Sequence, residues 1–230
     1  MNCKNNSGDQ TRALSVLLRF HAWDDLVVFP QPNPDPSGYG KHAHAVTGFW
    51  HFSRGVALLA LGRVDKAQQE LESLKTDAAL LPGPPDTRGT LDLEQSGENL
   101  WTLGNRGSMG IATAILTARI SEARGQLAEA SESLREAVRL QDELPYGEPP
   151  TWFYPVRESL GALLLKRGDS AEAEKTFREG LRLSPRDPRL LLGLSEAQRA
   201  SGHATEAAAT QKEFAALWKG PQGGLKVADL

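Results

Sequence analysis

GALLLKRGDSAEAEKTFREGLRLSP, residues 161–185, is the stretch whose reading decides the fold. Its small, apolar and turn residues fall at the intervals of two antiparallel helices joined by a tight turn. Gly161 and Ala173 are small where two helix backbones have to approach closely. Leu160, Leu164, Phe177, Leu181 and Leu183 recur with helical periodicity, the apolar stripe of a packed helix. Gly168-Asp169 supplies the turn. Pro185 ends the second helix because a proline ring cannot continue the hydrogen-bond ladder.

With the turn glycine as a ruler, the same pattern is found three more times. Gly62, Gly125, Gly168 and Gly202 each close a first helix, and five residues after each stands Ala67, Ala130, Ala173 or Ala207. Seven residues before them stand Gly55, Ala118, Gly161 and Ser195, all small. The ninth residue after the turn is Leu71, Leu134 and Phe177 in three places and Gln211 in the last. Agreement at fixed offsets in four places is hard to reach by chance. The glycines stand 63, 43 and 34 residues apart, so the first two intervals must hold insertions. These are the Pro/Gly-rich breaks at 81–89 and the proline–aromatic connector PYGEPPTWFYP at 145–155, with a further break at 30–38.

Taken in order, helices are expected at about 11–20, 41–61, 64–74, 108–123, 127–140, 155–167, 170–183, 187–200 and 203–218, with only a short helix around 98–103. Residues 23–28 read as the short second helix of a worn pair. Residues 1–10 read as a flexible lead and 220–230 as a loose tail. No strand is expected, because Val27-Val28 and similar runs lack alternation and turn partners.

The chain resembles the tetratricopeptide repeat, a helix-pair unit of about 34 residues. The resemblance implies an all-α, right-handed α-solenoid of antiparallel helix pairs, with insertions between the first units. It places one helical domain at 11–219, with units at about 11–28 (degenerate), 48–80, 111–142, 154–187 and 188–219. The whole is also similar to the C-terminal part of longer bacterial tetratricopeptide-repeat proteins, and a chain that begins with half a repeat would fit such an origin. Departures fall in the first unit, where His51 and Arg54 replace the usual bulky aromatic and leucine, and in the second, at Ala114 and Thr117. One helix pair cannot bury its apolar face alone, so neighbours must stack. The last helix suits a cap, with Gln211 and Lys212 beside Phe214, Leu217 and Trp218. The N-terminal end has no comparable cap and reads as irregular or as an interface for oligomerisation.

Composition narrows the function. The chain has 230 residues, 40% hydrophobic and 24% charged, as in an ordinary folded protein. A net charge of −3 offers no global attraction for nucleic acid or anionic membrane. No apolar run approaches 18 residues, and MNCKNNSGDQ lacks the apolar core of a signal peptide, which favours the cytoplasm. The single cysteine, Cys3, excludes an internal disulfide framework. Catalytic templates fail: Gly104-Asn105-Arg106-Gly107 has no Walker lysine or dinucleotide fingerprint around it, and no G-x-S-x-G elbow is present. Neither an enzyme nor a cofactor is expected.

Function is therefore expected on surfaces. The resemblance implies that first helices line a concave groove. The family's groove positions fall on Phe49, Phe52, Val56 and Leu59, then on Ala112, Ile115, Arg119 and Glu122. In the last two units they fall on Glu158, Ala162 and Leu165, and on Arg189, Leu192, Glu196 and Arg199. Such a groove is apolar toward the N-terminus and mixed in charge toward the C-terminus, suiting a peptide with an apolar anchor flanked by charges. The carboxylate clamp of chaperone-binding members is not expected, because Glu158 and Glu196 at its positions would repel a carboxylate. In the connector, Trp152 and its neighbours read as filling between the second and third units, with Tyr154 and Arg157 reaching the groove. His44 and His51 lie seven apart on one helix face with His42 nearby, a weak set for zinc or copper. No cysteine or nearby carboxylate completes it, so packed or hydrogen-bonded histidines are the better account. The leading expectation is a non-catalytic scaffold that binds a peptide or protein partner. A self-association module of a longer chain is the alternative, and a histidine metal module a third.

Overall fold

The computed structural model describes residues 7–32, 43–82, 93–148, 150–220 and 224–230. Among these residues there are ten α-helices and no strand. They are α1 (Ser7–Arg19), α2 (Trp23–Val28), α3 (Ala43–Ala60), α4 (Val64–Leu80), α5 (Leu93–Ala123), α6 (Leu127–Asp142), α7 (Arg157–Arg167), α8 (Ser170–Leu183), α9 (Pro188–Ala200) and α10 (Ala204–Leu217). A 3-10 turn spans Val227–Asp229. The helices pair consecutively, α3 on α4, α5 on α6, α7 on α8 and α9 on α10, as expected of helical repeats. The chain forms two compact units, Met1–Phe153 with α1–α6 and Tyr154–Leu230 with α7–α10.

The four turns close in one way. Gly62, Gly125, Gly168 and Gly202 have φ of +73°, +77°, +87° and +82°, where any side chain is strained. The residue after each glycine donates its N–H to the carbonyl five residues back. These bonds run from Arg63 to Leu58, Gln126 to Ser121, Asp169 to Leu164 and His203 to Gln198, all at 2.8–2.9 Å. This is the Schellman closure, which satisfies the carbonyls that a helix end leaves open. Ala67, Ala130, Ala173 and Ala207 are all buried at the facing helix, as their fixed offset requires. The worn first pair keeps the same device without the glycine: His21 has φ +56°, and Ala22 N–H reaches the Leu17 carbonyl at 2.9 Å.

Gly161 and Gly193 explain the close approach in the second unit. The Phe177 ring of α8 is fully buried, and a Cβ on Gly161 of α7 would stand 2.7 Å from both its Cε1 and its Cε2. A Cβ on Gly193 of α9 would stand 2.7 Å from its Cδ1. The ring thus fills the space that two missing side chains leave. Leu183, read as part of the apolar stripe, is instead exposed at the end of α8.

Three expectations need correction. The short helix at 98–103 and the helix from 108 are one helix, α5, of 31 residues. Its internal glycines serve packing: a Cβ on Gly107 would strike Leu144, so the chain leaving α6 can lie against α5. The lead is helical from Ser7, while residues 1–6 lie outside the described residues. The tail is not loose either, since Leu225 and Leu230 are buried. Most of the breaks at 30–38 and 81–89, together with His42 and Cys3, also lies outside the described residues.

Candidate peptide-binding faces

In the first unit, α3 and α5 are the first helices of their pairs. Phe49 and Phe52, one helical turn apart on α3, are buried. They are covered by the unit's own connector. The Trp152 ring lies 6.1 Å from Phe49 and 5.5 Å from Phe52, both edge-on, and Phe153 lies 5.8 Å from Phe49 at right angles. These offset geometries are the favoured ones for aromatic pairs. The Thr151 carbonyl also accepts from Ser108 Oγ of α5 at 3.4 Å. Within the first unit the connector fills the α3–α5 face. Phe49 and Phe52 are therefore a floor beneath Trp152 and Phe153 and not an open groove. Arg119 and Glu122 remain partly exposed on α5.

The histidine departures also find their reason here. His51 Nδ1 stands 2.6 Å from Glu70 Oε2 of α4, and Arg54 donates to Glu70 Oε1 at 2.6 Å. His44 Nδ1 stands 2.9 Å from Asp77 Oδ1. Carboxylates absent from the local sequence are thus supplied by the facing helix, and they take up these imidazoles as hydrogen-bond partners. Glu70 is buried, and His51 and Arg54 are its hydrogen-bond partners. Among the described residues no group of three or more His, Cys, Asp or Glu side chains could hold a metal ion.

In the second unit, α7 and α9 are the first helices. Ser159 Oγ of α7 donates to the Leu230 main-chain oxygen at 2.9 Å. The Arg189 guanidinium of α9 donates to the Asp229 carbonyl at 2.9 Å. Arg189 is placed by a sound helix start: Asp187 Oδ1 accepts from the Arg189 and Leu190 N–H groups at 2.8 and 3.3 Å, and Pro188 occupies the first turn. The 3-10 turn at Val227–Asp229 lies against α9, and Ser159, Arg189, Leu225 and Leu230 are all buried. Glu158 is fully buried. Arg157 is buried as well, its Nε 3.8 Å from Glu179 of α8. Tyr154 is half-buried. At the far ends of the same helices the face is more open: Ala162 and Leu165 are part-exposed, and Glu196 and Arg199 form an accessible ion pair.

Ser159, Leu225 and Leu230 were not singled out from sequence. The two leucines, five residues apart in GGLKVADL, were the available signal. A separate open recess of about 750 Å³ lies on the second-helix side, lined by Glu174, Lys175, Arg178, Glu179, Arg182 and His203. There, burial raises the Glu174 carboxyl, but hydrogen bonds from Arg178 and His203 outweigh it and hold the group below its usual value.

Two family profiles, both described as tetratricopeptide repeat, match residues 159–221 and 51–73. No curated protein matches the chain. Among solved structures it is similar to the kinesin light chain nearly identical TPR-like repeats of Podosopora anserina. A single-substitution variant of that protein gives 17% identity over 94% of this chain and 96% of the other, with a TM-score of 0.50. The unsubstituted form gives 17% identity, 94% and 97% coverage, and a TM-score of 0.48. Four Schellman turns in one register, buried alanines at one offset and the matched profiles agree: the chain carries tetratricopeptide repeats.

Proposed function

We propose that this protein is a non-catalytic scaffold that binds a peptide or protein partner on the faces of its first helices. Tetratricopeptide repeats mediate protein–protein interaction. One observation carries the reading to this chain: the α7–α9 face already engages a short segment with a 3-10 turn through the main-chain oxygens of Asp229 and Leu230. Main-chain contacts of this kind accept many sequences, while apolar anchors and flanking charges select among them. In the second unit the selecting residues are Glu196 and Arg199 at the open end, with Arg189 holding the main chain and Tyr154, Arg157 and Glu158 supporting the α7 start. In the first unit Arg119 and Glu122, part-exposed on α5, are the selecting residues. Affinity capture from the source cell tests this. Arg199→Glu and Arg119→Glu should each reduce the captured partner, and a partner retained equally by both would sink the reading.

A second reading has its own support. Val16, Phe20 and Val28 of the worn first pair are 54%, 80% and 77% exposed, apolar side chains open to a partner. Self-association through them predicts a concentration-dependent mass that Phe20→Glu abolishes. A monomer at every accessible concentration would exclude it. No helix among the described residues is long and apolar enough to cross a membrane.

A further inference from the structure

The segment at residues 225–230 sits where the proposed function would seat a partner. Ser159 is the third residue of α7 and Arg189 the second of α9, so the segment covers the N-terminal halves of both first helices. It holds its place in two ways. Leu225 and Leu230 bury their side chains, and Ser159 and Arg189 take the Leu230 and Asp229 main-chain oxygens. It is also shaped locally. Leu230 N–H donates to the Val227 carbonyl at 3.1 Å and Asp229 N–H to the Lys226 carbonyl at 2.9 Å. The Asp229 carboxylate takes the Lys226 N–H at 2.7 Å. Lys226 and Ala228 face solvent, so the anchors are the two leucines.

We infer that residues 225–230 are an intramolecular occupant of the α7–α9 face, which a partner peptide must displace. The inference rests on the binding-scaffold reading and gives it a ligand class: a short segment with two apolar anchors five residues apart and free main-chain acceptors at the second. The face and its occupant belong to one chain, so the competition is unimolecular. A tethered segment sees an effective concentration of about 1 mM. A segment that occupies the face about nine-tenths of the time weakens a competing peptide about tenfold. The exposed Glu196–Arg199 pair at the other end of the face stays free for the partner's first contact.

The test uses the full chain and a fluorescein-labelled peptide of residues 223–230, amidated so that only a carbonyl oxygen is offered at its end. Fluorescence anisotropy is read against wild type, against Leu225→Ala/Leu230→Ala, and against that double variant carrying Arg189→Leu. The double variant should bind the peptide about tenfold more tightly than wild type, and Arg189→Leu should remove that gain. Hydrogen exchange on the wild-type chain gives an independent reading, with the Asp229 and Leu230 amides slowed at least tenfold over free-peptide rates. Equal affinity for wild type and double variant, no binding to either at 1 mM protein, or free-peptide exchange at both amides would each overturn the inference. Partner capture that responds to Arg199→Glu but not to Leu225→Ala/Leu230→Ala would also overturn it, while leaving the scaffold reading in place.

Discussion

Replacing Gly161 by alanine should destabilise the second unit, although alanine is the better helix former. In a helix interior the exchange is worth about 1 kcal/mol in favour of alanine. Against this stands the Phe177 ring, two of whose atoms lie 2.7 Å from the added Cβ. The same end of the ring also lies against Gly193, where a Cβ would stand 2.7 Å from Cδ1, which leaves the ring little room to step aside. Overpacking of this kind costs about 1–3 kcal/mol. The net expectation for Gly161→Ala is a loss of up to about 2 kcal/mol, and for Gly161→Ala/Gly193→Ala a larger one. The discriminating measurement is a double-mutant cycle with Phe177→Leu, followed by urea unfolding at 222 nm with the slope held constant. Without the ring edge the Gly161→Ala methyl has room. Its cost should vanish or reverse in that background, giving a coupling of about 1–2 kcal/mol. A Gly161→Ala protein that is more stable with Phe177 in place, or effects that simply add, would refute the close-approach argument.

Other outcomes follow from the same geometry. Gly202→Ala meets open space but must hold φ near +82°, so it should cost about 1 kcal/mol in the unfolding midpoint. Trp152→Ala removes a buried ring from over Phe49 and Phe52 and should cost about 3–5 kcal/mol, with a new response of the first unit to apolar dyes. An unchanged midpoint would show that the connector does not hold that face. Glu70→Ala leaves His51 and Arg54 without their acceptor and should lose about 1–3 kcal/mol. Glu174 is held below its usual value of 4.5, so its stabilisation is complete above that pH and is lost as pH falls through the lower folded value. Acid titration of Glu174→Gln should therefore show a smaller drop in stability below pH 4.5 than wild type.

The repeat register could be read from sequence because its causes are local. A left-handed turn needs glycine, a helix crossing needs a small residue, and both needs recur at fixed offsets along the chain. Gly62, Gly125, Gly168 and Gly202 with their alanines five residues on therefore located four helix pairs, and the structure places every one of them. The worn first pair was legible as helix and turn, but not its positive φ at His21, which no sequence rule marks. Surfaces were harder to read, because burial is decided by what lands on a residue from far along the chain. Phe49 and Phe52 had the spacing of groove residues, yet Trp152 arrives from a hundred residues away to cover them. His44 and His51 lacked local carboxylates, yet α4 supplies Asp77 and Glu70 across the helix pair. GGLKVADL had the composition of a free tail, and only the return of the chain onto Ser159 and Arg189 gives it a place. Sequence by itself determined the helix pairs and their turns, since each depends on a few neighbouring residues. Which faces stay open was decided by tertiary structure alone, because that depends on long-range contacts between segments whose own local preferences are weak.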